Sequence, residues 1–206
     1  MKNCHRVLSC ALKLSLSGIA ASTFAAENYS PFVDRTGLET VYWGDTHLHT
    51  AYSTDAGMIG NTLSPDEAYR FARGEEVTSS TGIPARLVRP LDFLVVSDHA
   101  ENLGLAPMIA ESNPRLLSNP WGKDIHDLVK AGQGYEAFRK WGTEAMLPLT
   151  DPINDPELTS TIWHRLTDAA DRFNNPGYFT AFIGYEWTST PNGNNLHRVV
   201  IFNERL

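Results

Sequence analysis

The sequence predicts an α/β protein in which apolar strands alternate with helices and run out into metal-binding side chains. Three observations predict it. The run Leu91–Ser97 is apolar on both alternating faces, as in a strand buried within a parallel sheet. Two segments, Ser64-Pro65-Asp66-Glu67 and Asp155-Pro156-Glu157, combine a capping residue, a first-position proline and acids in the first turn, which starts a helix. Histidine, aspartate and glutamate recur where the strands stop, the layout of an active site at the C-terminal ends of barrel strands.

The chain of 206 residues opens with a segment that reads as a secretory signal peptide over residues 1–26. Lys2, Arg6 and Lys13 are basic, no acid precedes Glu27, and the apolar run Leu14–Ala26 is too short to span a bilayer as a helix. Thr23-Phe24-Ala25 supplies small residues for cleavage, so an exported protein, periplasmic or secreted, is expected. Both cysteines, Cys4 and Cys10, fall in this leader, which removes thiolate chemistry and cysteine-zinc sites from the remainder. The formal charge of −7 becomes more negative once the leader is gone. That excess of acid argues against nucleic acid or an anionic membrane as partner.

Residues 27–206 suit one domain. Strand one is expected at Glu39–Trp43, followed by a Ser/Thr/Gly-rich loop and a helix from Pro65 that stops at Gly74. Glu75–Arg89 is a polar excursion, and Leu91–Ser97 is strand two. Asn102–Leu149 reads as a helical, proline-broken insertion placed to cover the site. A helix from Asp155 carries Leu158, Ile162, Leu166, Ala169, Ala170 and Phe173 at helical spacing and ends near Pro176-Gly177. Strand three is Tyr178–Glu186, and a last apolar strand, Val199–Phe202, follows a Gly/Asn-rich loop.

His47 and His49 alternate on one face of an extended chain and can share one metal. Asp45 is on that face, placed to orient a ligand histidine. Asp55 can fold back toward the pair after a short turn. Asp98 and His99 end strand two, Glu186 ends strand three, and His197 precedes the last strand. A metal set of His47, His49, Asp55, His99, Glu186 and His197 is expected, with Glu186 and Asp98 as the catalytic candidates. Imidazole and carboxylate ligands suit Zn, Mn or Fe. His126 and His164 lie off these strand ends; His126 reads as solvated or loosely packed and His164 as solvated.

The segments His47-Leu-His49-Thr50-Ala-Tyr-Ser53-Thr-Asp55, Ser97-Asp98-His99, Gly184-Tyr-Glu186 and His197 resemble the first motifs of the PHP (polymerase and histidinol phosphatase) superfamily. The wording around them, Trp43-Gly44-Asp45-Thr46-His47 and Asn194-Asn195-Leu196-His197-Arg198 among others, resembles its exported branch known as domain of unknown function 3604. The resemblance covers about Thr40 to the end.

It implies a distorted (β/α) barrel holding up to three divalent ions. His47 and His49 would hold the first, Glu186 would bridge the first and second, and His197 would join the second. Asp55 and His99 would serve the third. The superfamily pattern continues with a further histidine and an Asp-x-His that this chain does not reach, so only the N-terminal part of such a barrel is expected here.

Closely spaced ions with a bridging hydroxide suit hydrolysis of a small-molecule phosphoester or related ester. Two other readings stay open at this stage. One is an amidohydrolase-like barrel, which also opens on His-x-His and needs a metal-bridging lysine or equivalent and a later pair of strand-end histidines. The other is a non-catalytic exported protein that binds a metal or ligand, with its tryptophans stacking sugars.

Overall fold

The structure, a computed structural model, describes residues 41–203. The leader expected over residues 1–26 lies outside the described residues. No helix among the described residues is long and apolar enough to cross a membrane.

In chain order the elements are β1 (Gly44–Leu48), α1 (Thr54–Gly57), α2 (Pro65–Ala72), β2 (Val77–Thr78), β3 (Pro84–Ala85) and β4 (Phe93–Val96). The insertion holds α3 (Leu105–Ala110), α4 (Pro114–Ser118), α5 (Pro120–Lys130), α6 (Gly134–Trp141) and a π-helical turn, Gly142–Met146. α7 (Pro156–Phe173), β5 (Thr180–Ser189) and β6 (Leu196–Phe202) complete the described chain. The architecture is mixed α/β around a curled, half-barrel sheet of order β1-β4-β5-β6. β2 and β3 form a separate two-stranded ribbon inside the polar excursion.

β1, β4 and β5 run parallel, in register Gly44↔Phe93 and Phe93↔Thr180. β4, in the middle, is the most apolar of them, and Leu94, Val95 and Val96 are fully buried. On one face Leu94, Val96, Ala181 and Ile183 pack with Tyr69 of α2 and Ile162, Leu166 and Ala170 of α7. The Tyr69 hydroxyl donates to the Phe182 carbonyl, 3.2 Å, so α2 is tied to the sheet by a hydrogen bond as well as by packing.

Two expectations are corrected. The first strand lies C-terminal to Glu39–Trp43, because the ladder to β4 needs Gly44 at a point of close approach. A Cβ there would sit 2.4 Å from the Phe93 ring and carbonyl. Val41 and Trp43, which attract a strand assignment by their bulk, are exposed. The last strand starts at Leu196 and is antiparallel to β5, with Glu186↔Val199 and Thr188↔His197, so the sheet is not built only of strand–helix units. The short connection Thr190–Asn195 permits a hairpin but not a crossover.

Candidate metal centre

The site forms where β1, β4 and β5 end and β6 begins. Strand alternation puts Glu186 on the sheet face opposite Ile183, away from α2 and α7. His47 lies within β1 and His49 just past its end. His99 follows β4 and makes a further parallel bridge to Glu186. The Glu186 amide donates to the Asp98 carbonyl at 3.0 Å, and the Ala100 amide donates to the Glu186 carbonyl at 3.0 Å, so the strand ends are stitched together at the site. Because β6 returns antiparallel, its first residues lie beside the last ones of β5, and this brings His197 to Glu186.

Glu186 is the hub. Its residue is 1% exposed. Its Oε2 lies 2.9 Å from His47 Nε2, 2.6 Å from His49 Nε2 and 3.6 Å from His99 Nε2. Its Oε1 lies 2.8 Å from His197 Nδ1. Asp55, on the short helix α1, faces the other side of His49, with both oxygens 3.2 Å from Nδ1, and lies 3.7 Å from His99 Nε2. The imidazoles follow one another at 4.9–5.2 Å between ring centres, in the order His47, His49, His99, with His197 5.0 Å from His99. Three overlapping groups have ligand atoms close enough to hold an ion: His47, His49 and Glu186; His49, Asp55 and His99; His99, Glu186 and His197. All six residues expected as ligands are thus brought together.

The surrounding charges fit ionised carboxylates. Burial alone would raise the Glu186 pKa, but the hydrogen bond from His47 and the neighbouring His99 and His49 outweigh it and lower it. Asp55 is held well below the usual carboxylate range, burial being outweighed by hydrogen bonds from His49 and Ser53. Burial would lower His49, and Asp55 and Glu186 together raise it instead.

Asp98 stands apart from the three groups. It is fully buried, and its carboxylate accepts from the Thr50 amide at 2.5 Å and the Thr50 hydroxyl at 2.7 Å. Burial pushes its pKa up to about 6, against the opposing hydrogen bonds from Thr50. Its geometry fixes the segment that carries His49. Asp45 acts through the backbone, its Oδ1 accepting from the His47 amide at 2.8 Å. His126 bonds Ser112 and Asp127 within the insertion, and His164 is exposed on α7.

Three residues were given no role of their own in the sequence reading. Ser53, fully buried, donates to Asp55 Oδ1 at 2.5 Å and accepts from the His99 amide at 3.1 Å. Glu101 and Thr188 both meet His99 Nδ1, at 3.3 and 3.1 Å. Burial would raise the Glu101 pKa, but the hydrogen bond from His99 and its charge lower it, so Glu101 is a carboxylate at neutral pH. Such a partner selects the tautomer that leaves Nε2 free toward the cluster. The signals available were the motif that contains Ser53 and adjacency: Ser53 and Glu101 lie two residues from Asp55 and His99.

Residues 36–206 match the protein family described as protein of unknown function (DUF3604). No curated protein and no solved structure matches the chain.

Proposed function

We propose that this chain, which belongs to the DUF3604 family, is a divalent-metal-dependent hydrolase of phosphoester or related ester bonds, built on the PHP pattern. The observation that carries the proposal is the convergence of four imidazoles on one buried carboxylate, Glu186. A buried carboxylate needs roughly one compensating charge. Four imidazoles and a second acid, Asp55, exceed that need. Imidazole nitrogens and carboxylate oxygens gathered in one place are instead the donor set that a divalent ion such as Zn, Mn or Fe would use. The three overlapping groups match the count of up to three ions in that pattern.

His47, His49, Asp55, His99, Glu186 and His197 would hold divalent ions, whose chemistry there would be to make bound water nucleophilic near neutral pH and to offset charge developing on a phosphoryl or carbonyl oxygen. The residues supply the rest. Glu186 presents one oxygen to His47 and His49 and the other to His197, the arrangement of a bridging ligand. Asp98 holds Thr50, and through it His49. The His47 side chain is 57% exposed, which marks the side from which a small ester reaches the cluster. The lysine-bridged alternative has no support in the geometry. Within residues 41–203 lysines occur only at 123, 130 and 140, and their amines meet Asp127, Ala110, Asp124 and Glu144 on the insertion.

The test is elemental analysis together with p-nitrophenyl phosphate hydrolysis, for the parent chain and for His47→Ala/His49→Ala. The parent should hold at least one ion and the double variant should lose it, together with any turnover that the protein carrying this chain shows. Unchanged metal content in the variant would overturn the assignment. Metal without turnover of phosphate or carboxylate esters would leave an exported metal-binding protein.

A further inference from the structure

The insertion brings together three residues that the metal centre does not use. Ser112, just past α3, has its Oγ 3.0 Å from His126 Nε2, and His126 Nδ1 lies 2.9 Å from Asp127 Oδ1. The His126 side chain is only 12% exposed, held between these two partners on α5. None of the three belongs to the groups with ligand atoms close enough to hold an ion.

Hydroxyl, imidazole and carboxylate in this order are the parts of an activated nucleophile. A carboxylate at Nδ1 selects the tautomer whose Nε2 lone pair faces the serine hydroxyl. Asp127 is such a carboxylate. Lys123, one turn earlier on α5, donates to it, and the hydrogen bonds from Lys123 and then His126 lower its pKa.

The backbone of Ser112 fits the same role. Its φ of 51° is left-handed, at a helix end where glycine or asparagine is usual. Many serine nucleophiles are presented on a sharp, strained turn, and here the turn joins α3 to α4. Two bonds pin it: the Ser112 amide donates to the Ile109 carbonyl at 3.1 Å, and the Asn113 amide to the Met108 carbonyl at 2.9 Å. Ser112 itself stays partly exposed. The charge of its neighbour Glu111 is answered by Arg165 at 2.7 and 3.2 Å, and Lys130 brings an ammonium to the Ala110 carbonyl at 3.2 Å.

We propose that Ser112, His126 and Asp127 form a second site, independent of the metal centre, where Ser112 accepts the acyl group of an activated carboxylic ester. Ser112 Oγ bonds to the acyl carbon and its proton passes to His126 Nε2. The ester C–O bond then breaks, and the leaving alkoxide takes that proton. The amides of Ser112 and Asn113 are both committed, so they make no oxyanion hole. Good leaving groups such as phenolates react for that reason, and the acyl group then stays on Ser112, whose alkoxide leaves less readily.

The experiment treats the protein carrying this chain with p-nitrophenyl acetate, quenches in acid and follows acetylation of each serine by peptide mass spectrometry. Exposed Ser118, whose hydroxyl donates to the Arg115 carbonyl, is the internal reference. Ser112 should be acetylated at least 100-fold faster than Ser118, a comparison that needs no variant. His126→Gln should slow Ser112 labelling about 100-fold or more, the ordinary contribution of a general base. Asp127→Asn, at a half-exposed acid, should slow it about tenfold, with Tm showing that both variants are folded. Labelling of Ser112 no faster than of Ser118, or a rate that His126→Gln leaves unchanged, would overturn the proposal. EDTA should leave the labelling rate as it is; labelling lost with the metal would overturn the independence claimed here. The two sites fail separately. Acetyl-Ser112 in a protein without metal or phosphoester turnover sinks the hydrolase alone, and metal-dependent turnover with an inert Ser112 sinks this site alone.

Discussion

Glu101 decides which nitrogen of His99 is left for an ion, and it does so from behind the ligand rather than within the cluster. Removing such a partner while all ligands remain costs about 10–100-fold in metal affinity. Glu101→Ala should therefore weaken metal binding by that factor in competition with a chromophoric chelator. Glu101→Gln, which keeps an oxygen acceptor, should recover most of it. Equal affinity in all three proteins would mean that the Glu101–His99 contact orients nothing. The candidate ligands themselves were legible because histidine and aspartate at strand ends are rare and chemically loaded. Ser53, Glu101 and Thr188 were not, since polar residues in loops and strand ends acquire this meaning only from who stands across from them. Asp98 carried the right chemistry in the right motif, yet it faces Thr50 and not the cluster, because successive residues past a strand end turn to different sides.

At the scale of elements, legibility followed the strength of local signals. α2 and α7 start where Ser64-Pro65 and Asp155-Pro156 place them. In α2 Glu67 closes the cap: its Oε2 accepts from the Ser64 amide at 2.9 Å and from the Ser64 hydroxyl. Burial would raise the Glu67 pKa, but the hydrogen bonds from Ser64 outweigh it and lower it. A depressed folded-state pKa contributes stability that is present above the unfolded value, about 4.3, and lost as pH falls through the folded one. Glu67→Gln should thus cost about 1 kcal/mol at pH 7. In urea unfolding at a series of pH values, that difference should shrink below about pH 4. A pH-independent difference would place the effect elsewhere.

The direction of β6 was illegible, because alternation is the same for parallel and antiparallel strands. Its pairing instead depends on Gly184, where a Cβ would lie 2.6 Å from Val95 Cγ1 and 2.7 Å from the Val200 carbonyl. Gly184→Ala should destabilise the fold by about 1–3 kcal/mol, read as a lower urea midpoint with unchanged slope. Wild-type stability in that variant would show that the β5–β6 approach is looser than drawn. β2 and β3 were missed for a related reason: two-residue strands in a polar excursion carry no periodicity to read.

At the scale of the molecule, the site is a tie between parts of the chain that share no local contact. His49 and Glu186 are 137 residues apart in sequence, and their side chains meet at 2.6 Å. The loop after β1, the end of β4 and the β5–β6 hairpin each contribute at least one ligand group. An unfolded chain cannot present that set, so an ion bound there stabilises the whole fold by mass action, by about 2.7 kcal/mol at a free concentration of a hundred times Kd. For a domain of this size each kcal/mol moves Tm by about 2–4 °C, giving an expected rise of roughly 5–11 °C. Differential scanning fluorimetry with Mn²⁺ or Zn²⁺ and with a chelator should show that interval. His49→Ala, which removes a residue shared by two of the three groups, should lose most of the rise. His126→Ala, whose imidazole bonds Ser112 and Asp127 on the insertion, should keep it. If both variants kept the full rise, the ion that stabilises the protein would be bound outside the Glu186 cluster, and the link drawn here between fold and site would fail.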